Sequence, residues 1–220
     1  MNGPEMLAWL SSRRSVRAYS DAPVSRQALT RVIEAAASAP SNTNRQPWRF
    51  TVVTAAQTRK ALAEAVRRRV EEMKATIALG HHAEDFGGYG EFFYEPLETA
   101  KVVIVPQYRV YPDLIAGLIA SGGGDPAAFH TAGQMQAELS SASAAVMALL
   151  LQAHAEGLGA CWMTGPLIAR EAVCALLGIR DPWQMLCAVP LGHPAGPEAA
   201  KPRKPLSRVV EWLDDEQERG

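Results

Sequence analysis

The 220-residue chain is 48% hydrophobic and 20% charged, which excludes disorder throughout and supplies apolar material for a sizeable core. Its 22 Lys and Arg against 23 Asp and Glu leave a formal charge of −1, too weak a field to gather nucleic acid non-specifically. Cys161, Cys174 and Cys187 are odd in number, lie in apolar surroundings and form no C-x-x-C pair; this speaks against a disulfide framework or a zinc ribbon and for a reducing cytoplasm.

Met1 to Leu10 carries Pro4 and Glu5 and lacks the basic start and apolar run of a secretory signal, so no export is expected. Ser25 is placed to cap a helix with Leu29, Val32, Ile33 and Ala36 on one face, ending before Pro40. Trp48 to Thr54 is rich in β-branched and aromatic residues and reads as a strand. Gln57 to Ile77 returns to helical spacing through Leu62, Val66, Val70, Met73 and Ile77, with Arg67, Arg68 and Arg69 as a solvated flank. From Leu79 to Pro96 the pattern breaks into His81, His82, Gly87, Gly88 and Gly90 and the aromatic group Tyr89, Phe92, Phe93 and Tyr94. Lys101 to Pro106 is a short buried strand, and a second irregular region over 107–129 holds Tyr111, Pro112 and Gly122 to Gly124. Both long loops are candidates for covering a substrate site.

His130 to Glu156 reads as the long central helix, with His130 able to cap it, His154 packed and Gly157 as its C-terminal cap. Its apolar stretch from Ala142 to Ala155 is broken by Ser143, Gln152 and His154 and falls short of the roughly 20 residues that cross a bilayer. Ala160 to Met163 is expected as a strand, Arg170 to Leu177 as a helix ended by Gly178, and Gln184 to Gly192 as a further strand. A proline-rich segment then leads to Val209, Val210 and Trp212. With no repeat or linker, residues 1–220 form one α+β domain of helices around a small sheet.

Motifs that carry chemistry by themselves are missing: there is no G-x-S-x-G, H-E-x-x-H or G-x-x-x-x-G-K-[ST]. His81 and His82 are adjacent and would not face one metal from a regular element. Gly157-Leu158-Gly159 starts like a dinucleotide fingerprint, but Trp162 fills the third glycine position. Four polar clusters remain. Arg13, Arg14, Ser15 and Arg17 offer guanidinium forks and a hydroxyl to a phosphate or an electron-rich ring edge. The loop from Ala39 to Trp48, with Pro40, Ser41 and Asn44, can pair with donors and acceptors on a heteroaromatic ring. Small residues beside bulky ones from Gly159 to Pro166 let the backbone at Thr164 and Gly165 approach a flat ring. Lys201, Arg203 and Lys204 make a cationic segment stiffened by proline. Together the clusters supply what a flavin mononucleotide demands.

In this order and composition, Arg-Arg-Ser-Val-Arg at 13–17, Ala-Pro-Ser-x-x-Asn-x-Gln-Pro-Trp at 39–48, Gly-Leu-Gly-Ala-Cys-Trp-Met at 157–163 and Arg-Lys-Pro-Leu at 203–206 resemble the nitroreductase family of FMN-dependent oxidoreductases, from about Leu10 to Trp212. The resemblance implies an α+β fold with a small mixed or antiparallel sheet flanked by helices. It also implies an intertwined homodimer with FMN at the interface, and a C-terminal extension over about 194–220 that reaches the partner. Carried over by motif, Arg13, Arg14, Ser15 and Arg17 contact phosphate, ribityl and pyrimidine edge, and Lys201 and Arg203 complete the phosphate clamp. Pro40, Ser41 and Asn44 come from the other subunit, and the backbone of Thr164 and Gly165 addresses the flavin N5 and O4 side.

No catalytic acid or base is implied: FMN carries electrons from NADH or NADPH to a small nitroaromatic or quinone acceptor in ping-pong fashion. Neither a nucleic acid nor a membrane is an expected partner. The chain departs from the family where an Asn and a Lys precede the strand at 101–106; the nearest residues here are Phe92 and Glu95. Two alternatives stay open: a specialised member, such as a dehydrogenase of a biosynthetic intermediate or a reductive dehalogenase, and a flavin-binding protein without turnover.

Overall fold

A run of four β-branched residues has no polar face to offer water, so it must be covered on both sides. Val102, Val103, Ile104 and Val105 meet that demand, each at most 2% exposed. The computed structural model, which describes residues 2–78 and 90–213, places them in the centre of an antiparallel sheet. β1 (Trp48–Val53) runs along one edge of β2 (Val102–Arg109), with Val52 opposite Ile104. β3 is Gly159–Ala160, β4 is Trp183–Met185 and β5 is Val189–Gly192. The order is β1-β2-β5-β3, and β4 pairs the far end of β2 beside β5.

Helices cover both faces. α1 (Gly3–Ser12) precedes α2 (Arg26–Ala37), and α3 (Ala56–Ile77), α4 (Glu95–Thr99), α5 (Leu114–Ser121), α6 (Ala137–Ala155) and α7 (Arg170–Leu177) follow in the chain. Val102 and Ile104 pack with Leu29 and Val32 of α2 and Val146 and Leu149 of α6. Val103 and Val105 pack with Leu62, Val66 and Val70 of α3 and Val173 of α7. The alternation of side chains along a strand thus divides β2 between two cores. Among the described residues no helix is long and apolar enough to cross a membrane.

Local chemistry explains the boundaries that the sequence anticipates. Ser25 Oγ accepts the Ala28 N–H at 3.1 Å and starts α2. Gly178, at φ 65°, ends α7 in a left-handed turn that favours glycine. His154 is packed at the end of α6, where its Nε2 lies 2.8 Å from Ser12 Oγ and its ring sits 5.2 Å from that of Trp9.

Other boundaries are corrected. The central strand continues past Pro106 to Arg109 because Gln107 is buried and its amide donates to Thr51 Oγ1 at 2.7 Å. The region 107–129 contains α5, capped by Asp113, whose Oδ1 accepts the Ala116 N–H at 3.1 Å. α6 begins at Ala137 rather than His130: Gly133 N–H is bonded to Asp113 Oδ2 at 2.9 Å and Gln136 is left-handed at φ 52°, so the preceding residues are turns and His130 caps nothing. The strand expected over 184–192 is two strands, broken where Leu186 N–H turns to Pro106 O. The strand expected over 160–163 keeps Ala160, while Met163 makes an isolated bridge to Ala188. Of the segment 79–96, Glu91–Phe93 forms a 3-10 turn and Glu95 opens α4. His81, His82, Gly87, Gly88 and Tyr89 lie outside the described residues.

Two outcomes follow. A methyl group added at Gly159 would lie 2.6 Å from Val16 Cβ in a closed contact, so Gly159→Ala should lower unfolding stability by about 1–3 kcal/mol, read by urea denaturation. The Arg31 guanidinium bonds both oxygens of Glu156, at 2.7 and 2.5 Å, tying α2 to the end of α6. This pairing, helped by Gln152, depresses the Glu156 carboxyl to about 2. Because the folded pKa is lowered, the stabilisation is present above the ordinary carboxylate range and is lost as pH falls through about 2. The difference in thermal midpoint between the wild type and Glu156→Gln should be full near neutrality and vanish at the acid end of a pH series.

Candidate functional site

The first cationic cluster is held by main chain. Ser15 bridges Ala160 in parallel, and Val16 N–H donates to Ala160 O at 3.1 Å, so the residues after α1 extend the sheet beyond β3. Strand periodicity sends Val16 into the core, and the bare Cα of Gly159 makes room for it. The buried Tyr19 hydroxyl donates toward Val16 O at 2.6 Å and Pro190 O at 3.0 Å, and burial pushes its phenol pKa up.

The C-terminal cluster returns to the same place. Beyond β5 the chain runs back beside residues 18–20: Ser20 N–H donates to His193 O at 2.9 Å and Ala195 N–H to Ala18 O at 3.0 Å. Lys201 and Arg203 thereby line a cavity of 180 Å³ together with Ser11, Arg13, Arg14, Ser15, Arg17 and Glu198. The structure therefore brings together six of the residues that the sequence singles out, from two ends of the chain.

What sets these cations apart is that five of them converge on one cavity with no ion pair among the described residues to hold them. Arg31, Arg45, Arg67, Arg69, Lys74 and Lys101 each pair with a carboxylate. Arg13, Arg14, Arg17, Lys201 and Arg203 form no ion pair among the described residues. Their guanidinium groups reach main-chain oxygens instead: Arg13 to Arg14 O at 2.9 Å, Arg14 to Ser11 O at 2.7 Å and Arg17 to Ser15 O at 3.2 Å. Burial, and next the charge of Arg203, pull the Arg13 pKa down. Five cations gathered in this way against the single carboxylate of Glu198 make a site for an anion.

Arg17 also lines a second cleft of 510 Å³, with Phe92, Phe93, Trp162, Met163, Thr164 and Gly165. The Phe93 ring lies so close to the Gly165 Cα that no side chain fits there. Phe92 meets Phe93 edge to face at 4.7 Å. Of Phe92 and Glu95, where the sequence differs from the family it resembles, Phe92 is in this cleft and Glu95 is not. Cys161, beneath the cage, is no ready nucleophile, since burial raises its thiol pKa.

Pro40, Ser41 and Asn44 line neither cleft within one chain. They belong to a constrained loop in which Thr43, Asn44 and Gln46 have φ of 49°, 52° and 47°, in the left-handed region that β-branched residues avoid. Asn42 N–H donates to Ser141 Oγ at 3.1 Å, Arg45 pairs with the buried Glu138 at 3.1 Å, and Ser41 Oγ accepts the Gln46 N–H at 3.0 Å. Tyr111 braces the loop from outside, with Arg45 at 5.4 Å and Arg109 at 4.4 Å from its ring centre. Two residues escape sequence reasoning: Ser11, a helix-end residue, and Glu198, which lies in a proline-rich tail with no periodicity.

The family model described as Nitroreductase family matches residues 10–193. The chain is 32% identical to an NADH dehydrogenase of Thermus thermophilus, over 91% of this chain and 92% of that one. It is 29% identical to a 4-nitrobenzoate reductase of Nocardioides sp., over 95% of this chain and 90% of that one. Its fold is similar to the crystal structure of a BluB-like flavoprotein from Clostridium difficile 630, with a TM-score of 0.83 at 20% identity, covering 95% of this chain and 99% of that chain.

If the cage is an anion site, inorganic phosphate should raise the thermal midpoint of the protein. Arg13→Ala and Arg203→Ala should each weaken phosphate binding by about 1.5–3 kcal/mol, and added sodium chloride should reduce the shift in the wild type.

Proposed function

With the family model covering most of its length, the chain belongs to the nitroreductase family, and we propose that it is an FMN-dependent oxidoreductase that uses NADH or NADPH to reduce an electron-poor acceptor such as a nitroarene or quinone. The observation that carries this reading is the cage of five cations unpaired among the described residues, joined through Arg17 to an aromatic cleft. These residues fit FMN: the cage suits a phosphate dianion, and the adjoining cleft, lined by Thr164, Gly165 and aromatic rings, suits a flat heterocycle.

Under this reading Arg13, Arg14, Ser15, Arg17, Lys201 and Arg203 hold the phosphate end. The main chain of Thr164 and Gly165 orients the ring, and Arg17 places positive charge where the cage opens into the cleft, favouring negative charge on a ligand there. Phe92, Phe93 and Trp162 exclude water and offer flat surfaces to an acceptor. Bound FMN supplies two-electron transfer between nicotinamide and acceptor. The protein contributes no acid or base to this reading; it binds, orients and sets the field.

Pro40, Ser41 and Asn44 complete the site from a second copy of the chain. Support for a homodimer comes from the apolar residues left outside, Leu114, Ile115 and Leu118 on α5 and Leu206, Val209 and Trp212 in the tail, each at least half exposed. The three free thiols accord with a reducing cytoplasm.

The test is an absorption spectrum of the purified protein, followed by anaerobic addition of NADH or NADPH and then of a nitroarene or menadione. Flavin absorption that bleaches with nicotinamide and returns with the acceptor is expected. Bound flavin that neither nicotinamide bleaches would instead favour a binding protein, or a specialised enzyme if another donor reduces it. Arg17→Ala and Arg203→Ala should purify with reduced flavin occupancy; full occupancy in both would remove these residues from the anion site.

A further inference from the structure

Among the described residues one carboxylate, Glu198, lines the cage. It lies on the returning tail between Ala195, whose N–H is bonded to Ala18 O, and Lys201. A carboxylate serving only to neutralise the arginines would sit on a guanidinium fork. Glu198 makes no ion pair among the described residues; its Oε1 accepts the main-chain N–H of Arg17 at 3.2 Å. That N–H is a fixed main-chain donor at the wall of a cationic cavity, the kind of group that phosphate oxygens bind. Glu198 also lines an adjoining 320 Å³ cavity together with Arg13 and Arg14, which offers it space outside the cage.

We propose that Glu198 is the internal counter-anion of the cage: it occupies the Arg17 amide in the absence of phosphate and competes with an incoming phosphate for that donor. Glu198 therefore determines how strongly a phosphate-bearing ligand is held relative to the same ligand without phosphate. The inference rests on reading the cage as the phosphate end of the proposed FMN site. Two anions cannot share one N–H, so phosphate binding either moves Glu198 off Arg17 or proceeds against its charge. Lys201 and Arg203 are on the same segment, and a shift of Glu198 would carry through to the cations that complete the cage.

The experiment compares the wild type with Glu198→Gln, which keeps an acceptor oxygen and drops the charge, and with Glu198→Ala, which loses both. The full chain is freed of flavin, and FMN and riboflavin are titrated separately by fluorescence. FMN should bind about five- to tenfold more tightly to both variants, as expected for removal of one nearby like charge, with riboflavin affinity unchanged. Unchanged or weaker FMN binding by Glu198→Gln would overturn the proposal and make Glu198 an anchor of the tail. An equal gain for riboflavin would overturn it too. Inorganic phosphate, titrated calorimetrically, separates this proposal from the flavin reading: tighter phosphate binding by the variants in a protein that takes up no flavin upholds Glu198 and ends the flavin assignment. A wild type that binds neither phosphate nor FMN overturns both.

Discussion

Like charges stay together only if something stiffer than their own side chains holds them, and here that task falls to main-chain hydrogen bonds. Val16 N–H to Ala160 O fastens the Arg13 to Arg17 segment to the sheet, and Ala195 N–H to Ala18 O brings the tail over it. Tyr19 ties both to β5 through Val16 O and Pro190 O. Repulsion between Arg13 and Arg203 is therefore opposed by bonds to a sheet whose central strand is buried on both faces. The stability of the two cores supports the electrostatic tension at the site.

That arrangement also explains why one arginine belongs to two cavities. Arg17 follows the buried Val16 and lies between the bridge residues Ser15 and Tyr19, so its backbone is fixed while its side chain remains at the surface between cage and cleft. On the cleft side, Gly165 and Phe93 set the shape by the close approach of ring to backbone. One end of the site is thus governed by charge and the other by contact, which matches a ligand that is anionic at one end and flat at the other.

Sequence reasoning succeeds where structure is decided locally. Ser25, Gly178 and the Val102 to Val105 run each state their role within a few residues, and each stands where expected. It fails where distant partners decide. Asp113 both caps α5 and holds Gly133, which delays the start of α6, and Leu186 splits the last strand by turning to Pro106. At the site, the cationic and small-residue clusters are legible as chemistry, but not their meeting in one cage and one cleft. Glu198 is invisible for a related reason: its meaning comes from Arg17, far away in the chain. The loop at 40–47 is legible by composition, while the left-handed backbone of Thr43 is not.

The cage is assembled from segments that a ribosome makes at different times. A chain growing from its N-terminus presents Arg13 to Arg17 early, and the sheet edge that receives them can form once β3 and β5 have emerged. Lys201 and Arg203 come later still. On the proposed assignment, capture of the ligand is a late event in biogenesis, and a protease that clips the exposed tail would leave a well-packed body that has lost its grip.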